Sequence, residues 1–140
     1  MYSIETSLGF TMGKLSQKMS EIFEKSLNAK GITPKQYAIL VVVYEHEELT
    51  QKLVADQVAI DRTTMGQHID ALESKDYIKR VRSNKDKRAY NLILTSEGLE
   101  TVSTLWDALV ASENEIIKSL SQKDQLCFRK FVKCLYDENM

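Results

Sequence analysis

The chain has 140 residues, 43% of them hydrophobic and 28% charged, a balance that fits one water-compatible domain with an ordinary core. One proline and five glycines are too few for the turns of a β-sandwich or barrel, so long helices are expected. A formal net charge of −1 excludes a globally basic nucleic-acid binder, and any such surface has to be local.

No apolar run approaches the length of a bilayer span; the longest is residues 37–44. The first ten residues carry Glu5 and lack a basic stretch leading into an apolar one, so no secretory leader is expected and a cytoplasmic location follows. Gly9 and Gly13 form a GxxxG, but Lys14, Gln17, Lys18 and Glu21 follow directly, which argues against a membrane helix.

Leu8, Met12, Leu15, Met19, Ile22, Phe23 and Leu27 recur at steps of three and four, predicting an amphipathic helix over 8–27 that Gly31 terminates. Thr33, Pro34 and Gln36 then supply a cap, a first-turn proline and a capping-box partner. They decide for a helix in the β-branched run YAILVVVY, which alone reads equally well as a strand. Glu45, His46, Glu47 and Glu48 close it. Those are metal-ligand residue types, but consecutive positions on a helix point apart, and no metal is expected there.

Thr50 is the N-cap of the next short helix and Asp61 that of another. In the second, Met65, Ile69 and Leu72 form a buried stripe, leaving Arg62, Thr63, Thr64, Gly66, Gln67 and Asp70 on the other face. Such a face is polar and short-chained, with residue types that read base edges or phosphates. Gly66 weakens the helix; taken alone it reads as a weak spot in a solvated helix, while a close approach by a DNA backbone or a neighbouring helix would also account for it. A half-buried hairpin follows, with Val81 on the outgoing strand and Tyr90, Leu92 and Leu94 alternating on the return. Between residues 75 and 90, Lys75, Lys79, Arg80, Arg82, Lys85, Lys87 and Arg88 face only Asp76 and Asp86, a local excess of five positive charges. A basic run is ordinarily a solvated loop; directly behind a two-helix unit it fits a phosphate backbone or a minor groove.

The segments LTQ (49–51), DRTT (61–64), IDALE (69–73), DKR (86–88) and LTSEG (94–98), in that order and spacing, resemble the MarR family of bacterial winged helix-turn-helix regulators. The resemblance implies a mainly α fold: a winged-helix DNA-binding lobe over 33–95 with a small β-hairpin wing, and terminal helices over 1–30 and 96–140 forming a dimerisation region, all within one domain. It also implies a homodimer on a pseudo-palindromic operator on double-stranded DNA, usually repressing, in a bacterial or archaeal cell, without cofactor or enzymatic activity. In that picture Arg62, Thr63, Thr64 and Gln67 belong to the recognition helix, and Thr50 and Gln51 lie near the DNA backbone. Arg82, Lys85, Lys87 and Arg88 are the wing cations; Arg88 matches the arginine that reaches the minor groove, and Asp86 the acid that orients it. Three positions depart from the family pattern: Asp76 replaces a glycine, Leu53 a polar residue and His68 an aliphatic one.

Thr95 caps a further helix with Glu97 near its start, and its apolar positions run for about six turns. Ser121 caps the last helix, where Leu126, Cys127, Phe128, Phe131, Val132, Cys134 and Leu135 cover more than one face and call for a partner. A second copy supplies it; a monomer whose end helices cover each other is the alternative. Cys127 and Cys134 are seven residues apart on this helix, roughly 10 Å, too far for a mutual disulfide. They read as small core residues, or as a redox switch to another subunit if Lys130 and Lys133 activate a thiol. The resemblance further implies a small aromatic effector, for which Met12, Met19, Tyr37, Tyr44 and Trp106 are the candidate lining; core packing explains them equally well. A winged-helix module that binds protein, or a thiol- or metal-responsive regulator of the same fold, are the remaining readings.

Overall fold

The computed structural model describes every residue from Met1 to Met140. Six helices and one hairpin follow each other: α1 (Leu8–Ala29), α2 (Pro34–Glu45), α3 (Gln51–Gln57), α4 (Arg62–Ser74), β1 (Ile78–Arg82), β2 (Tyr90–Leu94), α5 (Ser96–Ile117) and α6 (Gln122–Asn139). A single 3-10 turn, Ile4–Thr6, precedes α1. None of the helices is long and apolar enough to cross a membrane.

Local sequence sets most of these boundaries. At α2 both halves of the capping box are made: the Gln36 amide N–H donates to Thr33 Oγ1 (3.2 Å), and the Thr33 N–H donates to Gln36 Oε1 (3.0 Å). Thr50, Asp61 and Ser121 accept from the backbone three residues on, at Leu53, Thr64 and Asp124. Thr95 Oγ1 accepts from the Gly98 N–H at 2.9 Å, starting α5 in the same way. Helix ends are equally regular. After α1, Gly31 (φ 66°) donates to Asn28 O and Ile32 to Leu27 O, the paired bonds of a Schellman turn. The same pair recurs after α3 with Ala59 (φ 54°) and after α4 with Asp76 (φ 60°). Asp76 therefore holds the left-handed turn that a glycine would adopt without strain.

The chain divides into two compact units. One, residues 24–108, takes in the end of α1, α2 to α4, the hairpin and the first half of α5. Its core is built from Leu27, Ile39, Leu40, Val54, Met65, Ile69, Leu72, Ile78, Leu92 and Leu105, all nearly or fully buried. Helix α2 packs on α3 and β2, and α4 on α3 and β1. β1 and β2 are antiparallel in the register Ile78↔Leu94, Arg80↔Leu92 and Arg82↔Tyr90. Leu92 is buried as the alternation predicts, but Val81 is 45% exposed. Ile78 is the residue that faces the core, and two positions per pleat put Val81, an odd number of residues away, on the open face beside Lys79 and Ile93. The arrangement is a winged helix-turn-helix, with α3 and α4 as its helix pair and the hairpin as its wing.

The other unit joins residues 1–23 to 109–140. Arg129 of α6 donates to Glu113 (2.8 Å) and Asn114 (2.9 Å) of α5. No residue of α6 is buried. Leu126, Phe131, Leu135 and Tyr136 stay more than half exposed, as do Leu8 and Met12 of α1.

Candidate nucleic-acid interface

The residues expected to meet DNA lie on three elements of the first unit. Thr50, Gln51 and Lys52 begin α3, Arg62 begins α4, and Arg88 follows the wing tip; together they line one open cleft of about 560 Å³. Its other walls include Ile60, Met65 and Tyr90, with the carboxylates of Asp56 and Asp61. Thr63 and Gln67 stand exposed on α4, as do Lys85 and Lys87 on the wing. Neither pair lines the cleft itself.

Several of these side chains are committed inside the protein. Asp61 accepts from the Thr64 N–H (2.9 Å) and from the Thr64 hydroxyl (2.6 Å). Those bonds favour its charged form and hold its carboxyl below the usual carboxylate range. Thr64 therefore spends its only hydroxyl proton on the cap and retains acceptor capacity alone. Gln51 Oε1 accepts from Arg80 Nε at 3.0 Å, leaving its amide protons as the outward-capable groups. Arg82 donates to the Lys87 carbonyl and stacks 5.0 Å from the Tyr90 ring centre, so it braces the wing from within. His68 is half-buried and its Nδ1 lies 3.3 Å from Gln36 Nε2. Because Gln36 Oε1 is held by the capping box, the Gln36 amide has only a donor to offer, and His68 Nδ1 is the acceptor.

Asp86 meets Arg88 through the backbone. Its carboxylate accepts from the Arg88 backbone N–H at 3.0 Å, so it shapes the turn that presents the arginine. Ser83 is the other builder of that turn, and the sequence reading missed it. Its buried hydroxyl accepts from the N–H groups of Lys85 (3.2 Å) and Asp86 (3.3 Å). A serine opening a polar loop is the signal that was available.

Gly66 has open space where a Cβ would be, so no neighbouring helix requires it. The local excess of positive charge is smaller than the count suggests, because Arg80 pairs with Asp70 and Glu73.

The five residues expected to line an effector cavity are divided between the two units, Met12 and Met19 in one and Tyr37, Tyr44 and Trp106 in the other. Tyr44 and Trp106 share a cleft of about 470 Å³ with Val41, Glu45, Leu99 and Val102. Met19 lines a separate groove of about 360 Å³ formed by α1, α5 and α6. Met12 is 52% exposed and lines neither, while Tyr37 is a core residue, 7% exposed. Burial of Tyr37 pushes its phenol up to about 12. Cys127 and Cys134 are both free thiols, the second exposed, its Sγ 3.6 Å from Glu138 Oε1. Lys133, one of the two lysines that a reactive thiol would need, is paired with Asp137.

Residues 32–90 match the sequence model of the MarR family. The organic hydroperoxide resistance transcriptional regulator of Bacillus subtilis (strain 168) is 32% identical over 95 residues, which are 68% of this chain and 65% of that protein. The chain thus spans just under two thirds of that relative's length. Among solved structures, one described as MarR superposes with a TM-score of 0.83 at 19% identity, covering 99% of this chain and 94% of that one. The transcriptional repressor CouR, bound to a 23-mer DNA duplex, superposes with a TM-score of 0.78 at 21% identity, covering 95% of this chain and 94% of that one.

Proposed function

We propose that the chain is a MarR-family DNA-binding transcriptional regulator, as the match of residues 32–90 and the likeness to the Bacillus subtilis regulator support, and that it represses transcription as a homodimer on a pseudo-palindromic operator. The observation that carries this reading is the convergence of Thr50, Lys52, Arg62 and Arg88 on one open cleft beside the exposed Thr63 and Gln67 of α4. Helix α4 enters the major groove. Gln67 and Thr63 meet base edges, Arg62 a guanine or a phosphate, and Thr50 and the Gln51 amide protons the backbone. Arg88, with Lys85 and Lys87, carries the wing to the adjacent minor groove, where positive charge is favoured. Dimerisation rests on the apolar side chains that α1 and α6 leave uncovered. Two-fold symmetry then sets two copies of α4 roughly 34 Å apart, one turn of DNA. An aromatic effector occupies the Tyr44–Trp106 cleft and acts by binding preferentially to a dimer whose recognition helices are mis-spaced.

Titration of duplex DNA at increasing salt tests the reading. The wild type loses affinity steeply as salt rises, and Arg88→Ala binds all duplexes more weakly, with a log–log salt slope shallower by about 0.9 for one positive charge lost from the DNA surface. An unchanged slope in the variant would remove Arg88 from the DNA surface.

A further inference from the structure

Arg80 was counted with the cations of the wing, but its surroundings give it another task. It sits at the centre of β1, opposite Leu92, with its side chain 23% exposed. Nε donates to Gln51 Oε1 on α3 at 3.0 Å. One terminal nitrogen donates to Asp70 Oδ1 at 2.9 Å and to Glu73 on α4. The other reaches the Gly66 carbonyl at 3.5 Å. Four of its five N–H groups are thereby engaged, and the single positive charge faces two carboxylates. A guanidinium so surrounded adds no attraction for phosphate.

Gly66, Asp70 and Glu73 are spaced four and three residues apart, so they form one stripe along α4 next to the face that carries Thr63 and Gln67. A planar fork gripping that stripe, anchored in the wing strand and tied to α3, fixes the rotation of α4 about its own axis. It also fixes the distance of α4 from the wing. One step along a helix turns a side chain by about 100°, so a modest loss of this hold would mis-aim every base-reading group at once.

We propose that Arg80 is a positioning residue: it locks α4, α3 and the wing into one reading head and does not itself contact DNA. This rests on the DNA-binding reading above. Geometry also decides between arginine and lysine, since an ammonium is a point charge and cannot span Gln51, Asp70 and Glu73 together.

The test uses the full chain with two probes, a duplex recovered from a random pool by the wild type and a scrambled version of it. Arg80→Met is expected to lower the preference for the selected duplex about tenfold or more, while affinity for the scrambled duplex and the salt slope stay as they were. Arg80→Lys recovers the preference only in part. Asp70→Asn with Glu73→Gln keeps Arg80 and the fold, and is expected to lose preference too. Were Arg80 a phosphate ligand, Arg80→Met would weaken both duplexes equally with a slope shallower by about 0.9, and the double variant would keep the wild-type preference between them; either result overturns the proposal. Amide hydrogen exchange on the free protein reads the lock without DNA. Faster exchange across 66–73 in Arg80→Met supports it, and unchanged exchange there overturns it. A wild type indifferent to every duplex would overturn the DNA reading alone, leaving exchange to decide the lock.

Discussion

A Cβ on Gly98 would collide with the carbonyl oxygen of Tyr77, a backbone atom that also accepts from the Thr95 N–H and cannot give way. Gly98→Ala should therefore cost about 3 kcal/mol in denaturant unfolding by overpacking, although alanine is the better helix former. Gly66 is the opposite case, with free space around its Cα. Gly66→Ala is expected to stabilise the protein by about 0.5–1 kcal/mol while weakening duplex binding, if the glycine serves a close approach to DNA. Stabilisation with unchanged binding would make it a plain weak spot in a solvated helix. Tyr37 gives a pH signature. Its folded-state value of about 12 lies above the ordinary phenol value, so its contribution is complete below about pH 10 and is lost as pH rises through the folded value. The melting temperature should fall between these limits, and Tyr37→Phe should flatten that fall.

Among the elements, the Schellman turns after α3 and α4 place Ala59 and Asp76 in the left-handed region, where an L side chain is disfavoured by about 1–2 kcal/mol. Glycine relieves this but brings back unfolded-state entropy, so Asp76→Gly and Ala59→Gly should each stabilise by about 0.5 kcal/mol in chemical denaturation. A loss of stability in both would show that the turns are not strained. Helix starts were legible because a cap and its partner lie three residues apart: Thr33 with Gln36, Asp61 with Thr64 and Ser121 with Asp124 all read directly from the chain. The hairpin's phase was legible on β2 but not on β1. Val81 stood alone among lysines and arginines, and the buried Ile78 lay at the edge of the pattern. Arg80 could not be told from the other wing cations, since Gln51 is 29 residues from it and Asp70 is 10. Neither Arg82, tied to the Lys87 carbonyl, nor Asp86, tied to a backbone N–H, betrays its partner by residue type.

For the molecule as a whole, the two-unit division separates residues 24–108, with a well-buried core, from a helical unit whose last helix has no fully buried residue. The sequence marked α6 as an incomplete surface because its apolar residues cover too wide an arc for one neighbour. It could not show that Tyr44 and Trp106 would share a cleft, because they lie on α2 and α5, 62 residues apart in the chain. The central claim is that one polar helix face and one cationic wing are presented twice, in register with a DNA turn. Selection of random duplexes by the purified protein measures this most directly. The account predicts enrichment of a two-fold symmetric sequence with half-site centres about 10 base pairs apart, bound by two subunits. Recovery of no common sequence, or of an asymmetric one bound by a single subunit, would contradict it.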